Sequence, residues 1–199
     1  GMVVKGMRPD VVSFTTAMAA CDRAGWPERA VALYEKMDGM GVRPNAHALA
    51  TVLRAMAGAG MADSAVALFE DAERRHGVLP DAPVFNALLY AFASAGRTRS
   101  VFAILRVMQR RNIPSTLITF NTVLHALATA RAPHQALTIL HVHMPAHSIP
   151  PDAHSFAAAA SACAHSGLWI PALRLLRALP RRGIAPDPAN YVAALTALA

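Results

Sequence analysis

The sequence predicts an all-α protein, an α-solenoid of paired helices. Three observations predict it. Large apolar residues stand at Phe14, Leu49, Phe85, Phe120, Phe156 and Tyr191, spaced 35, 36, 35, 36 and 35 residues apart. Further ladders keep the same period: Gly25, Gly60, Gly96 and Gly167, with Arg131 where the missing member falls; Ala30, Ala65, Val101, Ala136 and Ala172; and Leu33, Leu68, Ile104, Ile139 and Leu175. Within a period, apolar residues recur at helical spacing on both sides of a glycine-marked break.

The elements follow in order. Residues 1–10, GMVVKGMRPD, read as the end of a preceding unit. Full units are predicted at 11–45, 46–81, 82–116, 117–152 and 153–187, and 188–199 reads as the first helix of another. Asp10, Asn45, Asp81, Thr116, Asp152 and Asp187 each stand just before a unit, and all are good N-cap residues. In the first unit, Ala30, Leu33, Tyr34 and Met37 give the second helix its apolar stripe, and GMGVRPN ends it. In the third, Phe85, Leu88, Leu89 and Phe92 follow an i, i+3, i+4, i+7 stripe, and Gly96 in AGRT is a C-cap. One such hairpin cannot bury its faces alone, so neighbours must stack. The chain opens on a helix end and closes on a helix beginning, so it reads as a piece of a longer protein.

Composition narrows the function classes. Of 199 residues, 54% are apolar and 16% charged, which excludes a disordered polar chain. The formal net charge is +7, and 17 of the 19 basic residues are arginine. GC-rich coding explains that bias as well as selection for a phosphate-pairing side chain does. The most apolar region, 156–176, is broken by His165, Gly167, Pro171 and Arg174, so it falls short of a membrane span. No secretory signal pattern is present.

Catalytic and metal chemistry find little support. Cys21 and Cys163 share one repeat position four units apart, too distant for a disulfide, and read as small core residues. In HVHMPAH, His143 and His147 are i, i+4, but Pro145 is expected to interrupt the helix between them and no third ligand is evident beside His141. There is no phosphate-binding G-x-x-x-x-G-K-[ST] loop and no G-x-S-x-G elbow. No enzyme activity, metal or cofactor is expected of this stretch.

VVSFTTAMAACDRAGWPERAVALYEKMDGMGVRPN (11–45), LITFNTVLHALATARAPHQALTIL (117–140) and ends such as GVRPN (41–45) and GIAPD (183–187) resemble the pentatricopeptide repeat family, in its P-type array. The early Trp–Leu–Gly–Tyr pattern of tetratricopeptide repeats is missing from these units. The resemblance covers essentially the whole chain. It implies a right-handed superhelix that binds single-stranded RNA, one base per repeat, in a mitochondrion or a chloroplast. In that family the residue after the first-helix aromatic pairs with the last residue of the repeat to read a base edge. A residue two places before the aromatic packs on the base planes.

The residues at those positions have a physical reading of their own. At 100° per residue, the site after the aromatic lies beside the buried stripe and can border a groove. Asn86 and Asn121 occupy it, each with a carboxamide that donates and accepts. Family resemblance implies that Asn121 with Asp152 reads uracil and that Thr15 with Asn45 reads adenine; Asn86 with Thr116 is an unusual pair, for which a weak pyrimidine preference is expected. Ala50 and Ala157 leave their repeats nearly blind. Val12 and Ile118 are the apolar packers; His47 and His154 are the stacking ones, and Pro83 suits the place poorly. For Asp152, Asp81 and Asp187, helix capping alone is the competing reading.

Near the end of the first helix, where the family often has a cation for phosphate, stand Arg23, Gly58, Ser94, Thr129 and His165. Arg23 and His165 are the candidates. Arg74–Arg75, Arg110–Arg111 and Arg181–Arg182 recur near the end of the second helix, as helix-dipole partners on a solvated surface or as an outer contact to phosphate or an acidic partner. Three functions remain open: a factor for processing, stability or translation of an organellar RNA; a structural component of an organellar ribosome that holds ribosomal RNA or protein; and a peptide-binding scaffold without RNA.

Overall fold

The computed structural model describes residues 9–198. Among them there are helices and no strands. The chain falls into two compact units, divided between residues 95 and 96. The first holds α1 (Val11–Arg23), α2 (Pro27–Gly39), α3 (Ala46–Gly58), α4 (Ala62–His76) and α5 (Ala82–Ser94). The second holds α6 (Thr98–Arg110), α7 (Leu117–Thr129), α8 (Pro133–Thr138), a π-helical turn (Ile139–His143), α9 (Met144–Ala146), α10 (Ala153–Ala164), α11 (Trp169–Arg181) and α12 (Pro188–Leu198).

Each unit has two layers. In the first unit α3 lies between α1 and α5, with α2 and α4 packed against these first helices. In the second, α10 lies between α7 and α12, with α8 and α11 against it. The ladders form the core. Phe14, Leu49, Phe85, Phe120 and Phe156 are at most 5% exposed, and Ala30, Ala65, Val101, Ala136 and Ala172 are all buried. Small residues at the second ladder let second helices approach the first closely. Tyr191, on α12, is 55% exposed.

Backbone chemistry sets the element ends. The side chains of Asp10, Asn45, Asp81, Thr116, Asp152 and Asp187 each accept from a backbone N–H three residues on, at 2.8, 2.8, 3.1, 3.3, 2.8 and 3.0 Å. Each such cap is worth about 1 kcal/mol. Capping is therefore common to every unit start, whatever else those residues do. The turn between paired helices needs one residue with positive φ. Glycine supplies it at 25, 60, 96 and 167, while Arg131 adopts φ 52° in the fourth pair. A side chain in that region costs about 1 kcal/mol. Asn112 and Ser148 take the same conformation after the second helices, where Gly41, Gly77 and Gly183 stand elsewhere.

The 36-residue spacings arise in two ways. In the second pair, α4 runs 15 residues and Val78 N–H closes the end on Ala72 O at 3.3 Å. In the fourth, the extra residue sits in the π turn at Ile139–His143. That turn leads directly into Pro145. Proline lacks an N–H and its ring crowds the carbonyl four residues back, so a local widening relieves it. The expectation that Pro145 interrupts the helix is corrected: α9 carries the chain through Met144–Ala146, and His147 N–H donates to His143 O at 3.1 Å.

The extra residue of the second pair corrects the register of the arginine doublets. Arg110–Arg111 and Arg181–Arg182 directly precede Asn112 and Gly183, but Arg74–Arg75 stands one residue further from Gly77. The residue just before the positive-φ position has its own task. Arg182 lies 5.5 Å over the Phe156 ring, and His147 meets Phe120 edge-on at 5.4 Å. Each covers the ladder aromatic of its own repeat.

Candidate nucleic-acid interface

The candidate site is built from the first turns of the first helices and the capping residues between repeats. On α7, Ile118 and Asn121 lie one turn apart and share a face. The N-cap of α10, Asp152, reaches the same place. Asn121 Nδ2 donates to Asp152 Oδ1 at 3.3 Å, which joins the two predicted readers.

Ser155 completes this cluster. Its hydroxyl lies 2.6 Å from Asn121 Oδ1 and 2.8 Å from Asp152 Oδ1, so its one proton is directed between two acceptors. The same oxygen accepts from Asp152 N–H at 3.2 Å, closing a capping box. Ser155 is fully buried while Asn121 and Asp152 are half-exposed. One Asn121 N–H and one Oδ1 lone pair remain for a base edge. Burial pushes the Asp152 carboxyl up. The backbone and hydroxyl bonds from Ser155, the Asn121 amide and the charge of His154 outweigh it and hold the group below the ordinary 3.8. Asp152 is therefore a carboxylate at neutral pH.

Ile118, 67% exposed, and His154, also exposed, lie beside this cluster. In the first unit Val12 is 70% exposed and His47 is exposed, each at the second position of its helix. Thr15 is buried and its hydroxyl donates to Val11 O at 2.6 Å, while Asn45 is exposed and caps α3. The Thr15–Asn45 set therefore presents a hydroxyl already engaged with its own helix. Asn86 is half-buried on α5. Thr116 caps α7 in a capping box with Thr119.

Arg23 is exposed at the end of α1. Beside it Asp22 pairs with Arg54 of α3 at 2.7 Å, so one local cation is already neutralised. His165, the C-cap of α10, has Nδ1 3.3 Å from Ala128 O. With a proton on Nδ1 it donates to that carbonyl, leaving Nε2 outward. Among the described residues no cluster of three His, Cys, Asp or Glu could hold a metal.

Ser155 and Arg54 escaped the reading of the sequence. A signal for Ser155 was present: Ser13, Thr119 and Ser155 each precede a ladder phenylalanine, three residues after an N-cap. Arg54 gave none, because its partner Asp22 lies in another repeat.

Comparison with known proteins places the geometry. The family profile described as the pentacotripeptide-repeat region of PRORP matches residues 5–181. No curated protein sequence matches the chain. The crystal structure of the pentatricopeptide repeat protein PPR10 from maize superimposes with TM-score 0.79 at 27% identity, over 95% of this chain and 27% of that one. The chain thus spans about a quarter of the maize protein's length. The PPR domain of Arabidopsis thaliana protein-only RNase P 1, solved in complex with tRNA, superimposes with TM-score 0.72 at 13% identity, over 94% of this chain and 98% of that one. PPR10 in complex with an 18-nt psaJ RNA element gives TM-score 0.63 at 20% identity, over 98% and 33% of the two chains. The period, the paired helices and the profile match agree, and the chain belongs to the pentatricopeptide repeat family, with its helical-repeat solenoid fold.

Proposed function

We propose that the chain binds single-stranded RNA, one base per repeat, and reads it most selectively at Asn121 and Asp152. The Asn121–Asp152–Ser155 cluster is the observation that carries the reading: an oriented carboxamide beside a carboxylate, open on one edge and flanked by Ile118 and His154. That PPR10 has been solved with a psaJ element and an RNase P PPR domain with tRNA supports RNA as the ligand class. The expected order is adenine at Thr15–Asn45, any base next, a weak pyrimidine at Asn86–Thr116, and uracil at Asn121–Asp152. The setting we infer is a mitochondrion or chloroplast, with this segment as a binding module that carries out no chemical step. Fluorescence anisotropy with short RNAs carrying A-N-Y-U tests it. Ordered RNA should bind better than its scrambled isomers, and Asn121→Ala should remove the preference for U. Equal binding of ordered and scrambled RNA sinks the reading.

A second reading has its own observation. Ala50 and Ala157 offer no polar group at the reading position, and Ala157 is buried. Such an array also suits a structural subunit of an organellar ribosome or another RNA–protein assembly. In that case the protein co-sediments with ribosomal particles, and Asn121→Ala leaves the association intact.

A further inference from the structure

The charge of this chain is divided unevenly. Residues 96–199 carry ten arginines, no lysine and two acids, Asp152 and Asp187, a formal +8. Residues 1–95 carry nine Lys and Arg against ten acids, a formal −1. Both acids of the second unit are spent as helix caps.

The second helices show where the excess lies. Counted from its first residue, the ninth position of each is Glu35, Glu70, Arg106, His141 and Arg177 in chain order. Arg99, Arg106 and Arg110 follow one face of α6, and Arg174, Arg177 and Arg181 one face of α11. All six are exposed, and Arg106, Arg110, Arg174, Arg177 and Arg181 have no acidic partner among the described residues. Within the first unit Arg54 pairs with Asp22, Arg74 with Glu70 and Arg75 with Asp71. At 1.5 Å per residue the α6 row runs about 16 Å. Arg106 stands at the rim of a cleft of about 470 Å³ between α6 and the π turn. His141, between the two rows in sequence, has its pKa lowered by burial and by the charge of Arg182.

We propose that this second-helix face of residues 96–199 is a separate, sequence-independent contact for an RNA phosphate backbone. Guanidinium groups pair with phosphate in two-pronged geometry. A protein partner would need a desolvated apolar centre, and the exposed neighbours of the α6 row are Ala103 and Gln109. The face is separate from Asn121, so it adds affinity without selecting bases.

The test is the salt dependence of binding to oligo(U), oligo(A) and an RNA hairpin, measured by anisotropy over a KCl series. Arg106→Gln/Arg110→Gln/Arg177→Gln should lower the slope of log K against log salt by about 0.7 per arginine removed. The loss should be equal for oligo(U) and oligo(A) and should leave any uracil preference due to Asn121 unchanged. The control Arg29→Gln/Lys36→Gln, on the second-helix layer of the first unit, should keep the wild-type slope. An unchanged slope in the triple variant overturns the proposal, and an anionic protein is then the better candidate for the face. An equal fall per charge in the control also overturns it, because net charge alone would explain the loss. Failure of base reading shows instead as an Asn121→Ala variant without effect, and leaves this slope untouched. The single variant Arg177→Gln, about 0.7 in slope, keeps the test usable if the triple variant folds poorly.

Discussion

Asn121 can turn its amide either way, and Asp152, an acceptor-only carboxylate, favours the orientation that aims Nδ2 at it. The Ser155 hydroxyl, 2.6 Å from Oδ1, supports that orientation from the other side, so the edge offered to a base is set before RNA arrives. Ser155→Ala should reduce discrimination of U over C at this repeat by roughly five-fold, about 1 kcal/mol, the usual worth of one hydrogen bond. Ser155→Thr should restore it, which separates orientation from a general loss of stability; unchanged discrimination in the alanine variant would dismiss the role. Arg131 makes a second residue-scale prediction. Its φ of 52° is the glycine conformation of the equivalent turns, so Arg131→Gly should stabilise the protein by about 1 kcal/mol in urea unfolding. A destabilised variant would mean that the arginine side chain contributes more than its strain costs. Asn121 and Asp152 were legible from sequence because their place relative to Phe120 is fixed by period. Ser155 was legible only as a cap, since its bond to Asn121 joins residues 34 apart.

At the scale of elements, the helix starts were readable because each needs a capping side chain at one place. Asp152→Ala should cost about 1 kcal/mol at neutral pH. The sign of its pH dependence follows from the lowered folded pKa. A depressed carboxylate stabilises the fold above its unfolded value of 3.8, and that contribution is lost as pH falls through the lower folded value. The difference in melting temperature between wild type and Asp152→Ala should therefore be constant from neutral pH down to about 5 and shrink below the ordinary carboxylate range. A gap that stays constant to pH 2 would mean that the charge contributes nothing. The π turn was not legible. A 36-residue spacing reveals an extra residue, but α4 and the turn at Ile139–His143 absorb it differently. The choice depends on the backbone ahead of Pro145, which periodicity does not record.

At the scale of the whole chain, the fold class was legible because one apolar period repeats, whereas the charge division was hidden inside a net +7. Its energetic consequence can be measured unit by unit. Trp26, under the Arg29 guanidinium at 4.4 Å, reports on residues 1–95, and Trp169, half-exposed at the start of α11, reports on residues 96–199. Repeat arrays need not unfold in one step, so the two probes can record separate transitions. In the second unit the arginines repel one another with few acids to offset them, and added salt screens that repulsion. In a Trp26→Phe variant, raising KCl from low to physiological levels should stabilise the transition seen by Trp169 by roughly 0.5 to 1 kcal/mol, the worth of a few screened like-charge pairs. In Trp169→Phe, where ion pairs such as Arg54–Asp22 and Arg75–Asp71 are weakened by the same salt, the transition seen by Trp26 should hold or fall slightly. Two midpoints that rise together would show that the units unfold as one body and that the uneven charge has no local energetic effect.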